Sequence, residues 1–304
     1  MKRTNAQRKK IEKRISGLTV AVAAVIAVVI AAFGYFGQKD KPFDVSSDGT
    51  MRVSFIDVGQ GDCELIECGG TNILIDGGEA INADFVLEFI KSRGITKLDY
   101  YVVSHPHSDH MGAASRIIDS IPIDKFVTTD FSELNMPTSK VFENMLDSLE
   151  RQTTCEVVTV RAGDVLNAGK LKLNVIAPFE ETSDYNNMSI VLRVDYGSTR
   201  FLFTGDAERE VEKQMLENGS DIKADVLKVG HHGSKTSTSS EFLKAVSPQF
   251  AVISCGSGNS YGHPHKETTE LLKRCGVTYF RTDEQGTVTV YSDGSKVTCA
   301  NEAA

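Results

Sequence analysis

The sequence predicts an α/β (α+β) architecture, an αββα sandwich of two β-sheets faced by outer helices, preceded by one N-terminal transmembrane helix. Two observations predict it. A charge-free apolar run near the N-terminus has the length of a bilayer-spanning helix. Beyond it, each half of the chain opens on a group of strand-like segments and continues with helices and strands in alternation, an order that suits two packed sheets better than a doubly wound parallel sheet. With 304 residues, 40% hydrophobic and 24% charged, the composition is that of an ordinary globular protein.

Residues 1–17 form a basic tail, in which Lys2, Arg3, Arg8, Lys9, Lys10, Lys13 and Arg14 face a single Glu12. Residues 18–37 follow as the anchor, and 38–50 as a polar linker rich in turn formers. The basic flank should stay in the cytoplasm, which places the domain at 51–304 outside the membrane. A cleaved signal peptide has the same order of basic and apolar regions and would leave a secreted domain. The length of the run and the lack of an A-x-A site after it favour the uncleaved anchor.

Along the domain, strands are expected at 52–57, 63–68, 72–76 and 99–104, with a helix over 82–93 that stops at Gly94. Further helices are expected near 112–120, 138–150, 208–218, 239–246 and 267–274. Strands are expected near 125–128, 156–160, 171–176, 189–196, 200–204, 225–229, 250–254, 279–281 and 287–292. The six cysteines are scattered without a CxxC pair and read mainly as small buried hydrophobes. An exported domain permits disulfides, but Cys63 and Cys68, an odd number of residues apart on one strand, point to opposite faces and should not pair.

All seven histidines fall in three short clusters, which structural histidines placed at random would not do. The first cluster, Ser104-His105-Pro106-His107-Ser108-Asp109-His110, directly follows an apolar strand. Four ligand-type side chains within six residues can converge from a loop at a strand end, whereas one strand or helix would fan them apart. Imidazole with carboxylate suits Zn²⁺, and also Mn²⁺ or Fe²⁺. A second apolar strand ends at Thr204-Gly205-Asp206, where Gly-Asp is also a common helix cap. A third runs through Leu227-Lys228-Val229-Gly230 into His231-His232-Gly233-Ser234.

The H-x-H-x-D-H run at a strand end resembles the signature of the metallo-β-lactamase superfamily. The resemblance implies two divalent metal ions, Zn²⁺ or Mn²⁺, with Asp206 bridging them. His105, His107 and Asp206 would serve the first ion; Asp109, His110, His231 and Asp206 would serve the second, with His232 as the alternative to His231. Two such ions hold a hydroxide that is nucleophilic at neutral pH and stabilise charge on the attacked group. One departure stands out. Where many members carry a third histidine for the first ion, this chain reads Tyr185-Asn186-Asn187-Met188-Ser189, which leaves that site weaker or open to Mn²⁺.

The departure narrows the resemblance. Asp57-Val58-Gly59-Gln60-Gly61-Asp62, Leu74-Ile75-Asp76-Gly77-Gly78, the Asn186-Asn187 station, His231-His232-Gly233-Ser234, Tyr261-Gly262-His263-Pro264 and Arg281-Thr282-Asp283 occur in that order. Together they look like the C-terminal metallo-hydrolase domain of ComEC-type competence proteins, over residues 51–293, without the channel domain of those proteins. Asp57, Asp62, Asp76 and His232 are expected to support the ligands by hydrogen bonds, with a chemical role for Asp57 or Asp62 left open. Asn186, Asn187 and Ser234 are candidate substrate contacts, though Ser234 could equally cap a helix. His263 is a candidate to bind substrate or protonate a leaving oxygen, and Asp109 is counted with it as catalytic. His265 reads as a helix start.

Three functions remain open from sequence. The resemblance implies a phosphodiesterase or nuclease acting on DNA. The same centre would hydrolyse a small ester, lactone or β-lactam. A non-catalytic surface receptor would not need so complete a ligand set. Charge weighs against the first. Of 33 basic and 41 acidic residues, seven and one lie in the first 37, leaving 26 against 40 and a formal charge of −14. That is not the electrostatic footprint of a simple nucleic-acid binder.

Overall fold

The computed structural model describes residues 49–132 and 135–301. The basic tail, the predicted anchor at 18–37 and nearly all of the linker lie outside them. Among the described residues no helix is long and apolar enough to cross a membrane.

In chain order the strands are β1 (Met51–Phe55), β2 (Glu64–Cys68), β3 (Thr71–Ile75), β4 (Leu98–Val102), β5 (Ile123–Thr129), β6 (Glu156–Val160), β7 (Val165–Ala168), β8 (Leu171–Ala177), β9 (Val191–Tyr196), β10 (Thr199–Phe203), β11 (Val226–Lys228), β12 (Phe250–Ile253), β13 (Thr278–Arg281), β14 (Val288–Ser292) and β15 (Val297–Cys299). They form one sheet in the order β15-β14-β1-β2-β3-β4-β5-β6 and a second in the order β13-β12-β11-β10-β9-β8-β7. Strand alternation builds the core between them. Ile73 and Ile75 of β3, with Phe201 and Phe203 of β10, face the space between the sheets. There Phe55 and Phe203 stack with ring centroids 6.0 Å apart. The intervening Leu74 and Leu202 turn outward to the helices. Both faces of these strands are buried, so they read in sequence as continuous apolar runs.

Helices α1 (Ala83–Ser92), α2 (Ser108–Met111), α3 (Ala114–Ile118) and α4 (Lys140–Arg151) belong to the outer side of the first sheet. There Val86, Ile90, Ile117, Phe142 and Met145 share an apolar cluster with Leu65, Leu74, Tyr101 and Phe126. On α1 the buried set Ala83, Val86, Leu87 and Ile90 has helical spacing, and Gly94 beyond its end adopts φ 72°, the left-handed stop expected of it. Helices α5 (Arg209–Glu217), α6 (Ser240–Val246) and α7 (Lys266–Arg274) cover the second sheet through Val211, Met215, Phe242, Leu243 and Leu272. The αββα sandwich is therefore the observed architecture.

Differences from expectation have local causes. The helix expected at 112–120 is found as α2 and α3, starting four residues earlier, because the amides of His110 and Met111 bond back to the His107 carbonyl. The His cluster therefore converges from a loop plus one helical turn. Strands β7 and β15 were not expected; both are sheet edges, and β7, with Val165 exposed, lacks the buried pattern that identifies inner strands. Cys63, Cys68, Cys155, Cys255 and Cys275 form no disulfide, and Cys68 lies between the sheets while Cys63 lies in the helix-facing layer. Strands β3 and β4 run parallel, as do β10, β11 and β12, and Asp76, His105–His110, Asp206 and His231–His232 follow the C-terminal ends of β3, β4, β10 and β11.

Candidate metal centre

Past the end of β4 the chain enters Ser104-His105, held from behind by Asp76, the residue after β3. Asp76 adopts φ 54°. Its Oδ1 accepts the Ser104 amide at 2.7 Å, and its Oδ2 accepts the Ser104 hydroxyl at 2.7 Å and lies 2.8 Å from His110 Nδ1. A carboxylate on Nδ1 leaves Nε2 of His110 turned inward, the arrangement that orients imidazole ligands on metals. His105 is anchored likewise, Nδ1 at 3.0 Å from Ser104 Oγ, and its Nε2 stands 3.0 Å from His107 Nδ1.

The Asp57–Asp62 loop lies on this turn. A Cβ at Gly61 (φ 140°) would stand 2.3 Å from the Asp109 carbonyl oxygen, which also accepts the Asp62 amide at 3.1 Å. Only glycine allows that approach. Asp57 bonds the amide of Gly59 at 3.1 Å and shapes its own loop. Asp62 instead reaches the cluster.

After β10, Asp206 occupies the middle of the site, its amide donated to Ser189 Oγ at 3.0 Å. Its two oxygens face different imidazoles. Oδ1 lies 3.2 Å from His110 Nε2 and 3.6 Å from His232 Nε2; Oδ2 lies 3.7 Å from His105 Nε2 and 3.7 Å from His231 Nε2. One carboxylate thus stands between two sets of nitrogens, as a bridge between two ions requires.

After β11, His231 and His232 both adopt left-handed backbone, φ 50° and 53°, at about 1–3 kcal/mol each for such residues. The expected ordering of the pair is reversed. It is His232, 1% exposed, whose Nε2 lies 3.2 Å from Asp109 Oδ2 and 3.3 Å from His110 Nε2. His231 faces the other oxygen of Asp206. The left-handed turn swings successive side chains to different sides, which residue spacing alone does not reveal. The Nδ1–H of His232 donates to the Ser254 carbonyl at 3.0 Å, with Asp62 Oδ1 at 3.2 Å. Asp62 therefore sits behind His232 and His110, on the Nδ1 side of both rings. Its other oxygen meets Lys228 Nζ at 2.7 Å, in a pair only 1% exposed at each side chain.

Electrostatics match this division. Burial, followed by His110, holds His105 well below the usual histidine range and therefore neutral. Burial also works against the charged forms of His110 and His232, yet Asp206 outweighs it, with Asp76 at His110 and Asp62 at His232; His110 is held well above its ordinary value and His232 at about 10. Asp206 is driven well below the carboxylate range, against burial, by His110 and His232. In the metal-free protein, protons thus stand where cations are called for, and metal uptake would release them. Asp206 Oδ1 and Asp62 Oδ1 are buried without a hydrogen-bond partner. Two donor groups, His105/His107/Asp206 and His110/His232/Asp206 with Asp62 beside them, are compact enough to hold an ion each. The residues present fit two divalent ions, with imidazole and carboxylate chemistry open to Zn²⁺ or Mn²⁺.

The centre forms the floor of a cavity of about 260 Å³, whose walls include Gln60, Asn186, Tyr261 and His263. Asn186 Oδ1 is buried there without a partner. Asn187 does not face the cavity wall. Its Oδ1 accepts the Glu208 amide at 3.1 Å and its Nδ2 donates to Asp184 at 3.2 Å, so the amide is consumed in the turn. Nor does Ser234, whose hydroxyl bonds Thr236 at 3.0 Å and shapes the turn after the two histidines. His263 stacks on Tyr261, centroids 5.6 Å apart at 20°, with its own Nδ1 buried and unpartnered. Burial, then His232 and His231, press His263 down to about 4, so the ring is neutral at pH 7. His265 begins α7 and accepts the Lys235 amide at 3.1 Å. Lys228, Glu208 and Tyr261 carry roles here that their motifs did not assign to them. A lysine inside an apolar strand leading to His-His was a usable signal for Lys228, and the glutamate two residues after Asp206 one for Glu208.

Comparison with known proteins agrees with this geometry. Residues 56–257 match the family model described as the metallo-beta-lactamase superfamily. The chain is 32% identical over 263 residues to ComE operon protein 3 of Bacillus subtilis, covering 80% of this chain and 33% of that protein. It is 29% identical over 242 residues to competence protein ComA of Neisseria gonorrhoeae, covering 79% and 32%. The chain thus spans about a third of the length of these relatives. Among solved structures, the metallo-beta-lactamase fold protein YhfI from Bacillus subtilis superimposes with a TM-score of 0.55 at 14% identity, over 80% of this chain and 99% of that one. The chain belongs to the metallo-beta-lactamase superfamily, resembles the metallo-hydrolase domain of ComEC-type competence proteins, and carries the donor set of a metal-dependent hydrolase.

Proposed function

We propose that this chain is a phosphodiesterase that cleaves DNA outside the membrane, held there by the anchor at 18–37. The observation that carries the reading is the position of Asp206 between two imidazole sets at the floor of an open cavity. DNA as the substrate class is what the resemblance to ComEC-type proteins implies, and likeness to a protein named for competence supports it. Bound divalent ions would supply an activated water and offset charge developing on the phosphoryl oxygens. The chain's own groups do the rest. Asp76, Asp62 and Ser104 fix the ring orientations. Asn186 offers a side-chain amide toward the cavity, and neutral His263 is placed to hydrogen-bond a leaving oxygen. The ring of Tyr261, 64% exposed, offers a face on which a base beside the scissile phosphate can stack. The cavity is at the small end of ligand pockets, which favours single-stranded over duplex substrate.

Hydrolysis of a small ester, lactone or β-lactam is the second reading, favoured by the acidic balance of residues 38–304. Full-length protein in detergent, supplied with Mn²⁺ or Zn²⁺, should cleave single-stranded DNA and bis-p-nitrophenyl phosphate. Silence on both with either metal would sink the phosphodiesterase reading, and turnover of a lactone or β-lactam panel would establish the second. Asp109→Ala and Asp206→Ala serve as metal-site controls.

A further inference from the structure

We propose that His231, oriented by Glu208, is the third imidazole of the first metal site, in place of the histidine that the Asn186 station lacks. The inference rests on the two-ion reading above and concerns which residues complete it.

Four imidazoles surround Asp206, and each is held by Nδ1 with Nε2 directed inward. Ser104 anchors His105 at 3.0 Å, Asp76 anchors His110 at 2.8 Å, and the Ser254 carbonyl anchors His232 at 3.0 Å. His231 has the same arrangement: Nδ1 lies 3.2 Å from Glu208 Oε1 and 3.3 Å from Thr236 Oγ1. A surface histidine has no need of a carboxylate on one nitrogen while the other points at a buried aspartate. A metal ligand does. The nitrogens also divide by oxygen. His110 and His232 meet Asp206 Oδ1, whereas His231 shares Oδ2 with His105, whose Nε2 is in turn 3.0 Å from His107 Nδ1.

The Asn186-Asn187 station explains how the substitution is built. Asn187 supplies no ligand. It accepts the Glu208 amide at 3.1 Å, and the Thr236 hydroxyl donates to Glu208 Oε1 at 2.8 Å. The His231 amide donates to the Gly205 carbonyl at 3.0 Å, locking the His-His turn to the Asp206 turn. Consecutive left-handed residues then send His232 to one ion and His231 to the other.

The test is metal binding by metal-stripped, full-length protein in detergent. Mn²⁺ and Zn²⁺ are titrated by calorimetry, and retained metal is counted by mass spectrometry after dialysis. Wild type should take two equivalents. His231→Ala should keep one and weaken the other at least ~10-fold, and Glu208→Gln should weaken that same equivalent ~10–100-fold. His232→Ala should weaken the opposite equivalent. Two equivalents of wild-type affinity in His231→Ala would overturn the assignment, as would loss of the same equivalent in the His231 and His232 variants. If thermal melts show that His231→Ala does not fold, Glu208→Gln decides, and wild-type binding in it overturns the proposal. A wild type that binds no ion defeats the hydrolase reading and this assignment together.

Discussion

Asp206 concentrates the chemistry of the site in one side chain, because its two oxygens face two different sets of imidazoles. Loss of an orienting partner typically costs ~10–100-fold in metal affinity, so removing the shared ligand should cost more. Asp206→Ala is expected to fall below one retained metal equivalent and to lose hydrolysis at the top of that range or beyond, read by metal analysis and by rates on bis-p-nitrophenyl phosphate. Lys228 acts from behind. It is held protonated by Asp62 although burial opposes the charge. Neighbouring Glu64, by burial and the charge of Asp62, is pushed well above the carboxylate range. Breaking a buried pair on one side strands the other charge, at about 3–5 kcal/mol. Lys228→Met should lower the urea stability of the metal-free protein by that order. An unchanged unfolding curve would show that His232 alone satisfies Asp62.

At the scale of elements, the loop between β1 and β2 matters because it lies on the backbone of the His turn. Gly61→Ala would drive a methyl group into the Asp109 carbonyl. It should weaken metal binding although it removes no ligand, and a structure of the variant should show the Ser108–Met111 turn displaced. The loop bearing Tyr261 is clamped by Asn259. The Asn259 Nδ2 donates to the carbonyls of Gly256 and His263, at 2.8 and 2.6 Å, and Oδ1 accepts the amides of Tyr261 and His263. Tyr261 is thus presented on a preformed platform. Tyr261→Ala should raise KM for single-stranded DNA by an amount equal to the ~1–3 kcal/mol of one stacked base, read from steady-state rates on single-stranded DNA. In the β14–β15 hairpin, Asp293 bonds the Ser295 hydroxyl and the Ser295 and Lys296 amides, which hold its carboxyl at about 2. A depressed carboxyl stabilises the fold above its unfolded pKa of ~3.9, and that contribution disappears as pH falls through the folded value. The stability gap between wild type and Asp293→Asn, followed by urea midpoints, should therefore close between pH 4 and 2.

For the whole molecule, the two sheets act as a frame whose C-terminal strand ends meet at one edge. Donor side chains after strands of the first sheet (His105, His107, Asp109, His110) meet those after strands of the second (Asp206, His231, His232) only when both sheets are packed. Metal binding is then coupled to the integrity of the sandwich. A free ion concentration 100 times the dissociation constant should add ~2.7 kcal/mol to stability, seen as a rise in thermal midpoint that a chelator reverses. A midpoint indifferent to metal would mean that the site does not bind ions in the folded state.

What could be read in the sequence was whatever is local. Apolar strands buried on both faces, the helical spacing of α1 with its Gly94 stop, and the His105–His110 cluster all depend on residues close in the chain, so composition and period reveal them. The layers of the sandwich followed from the order of those elements. Tertiary structure decided what depends on side-chain direction across long separations. It gave His232 rather than His231 to Asp109 and His110, because two left-handed residues turn their rings apart. It placed Asp62 against Lys228 across 166 positions of chain, turned Asn187 and Ser234 away from the cavity into turns, and put Glu208 behind His231. A sequence declares which groups are available for a metal centre. Which nitrogen faces which oxygen is set by backbone dihedrals and by the packing of two sheets, and neither is written in residue spacing.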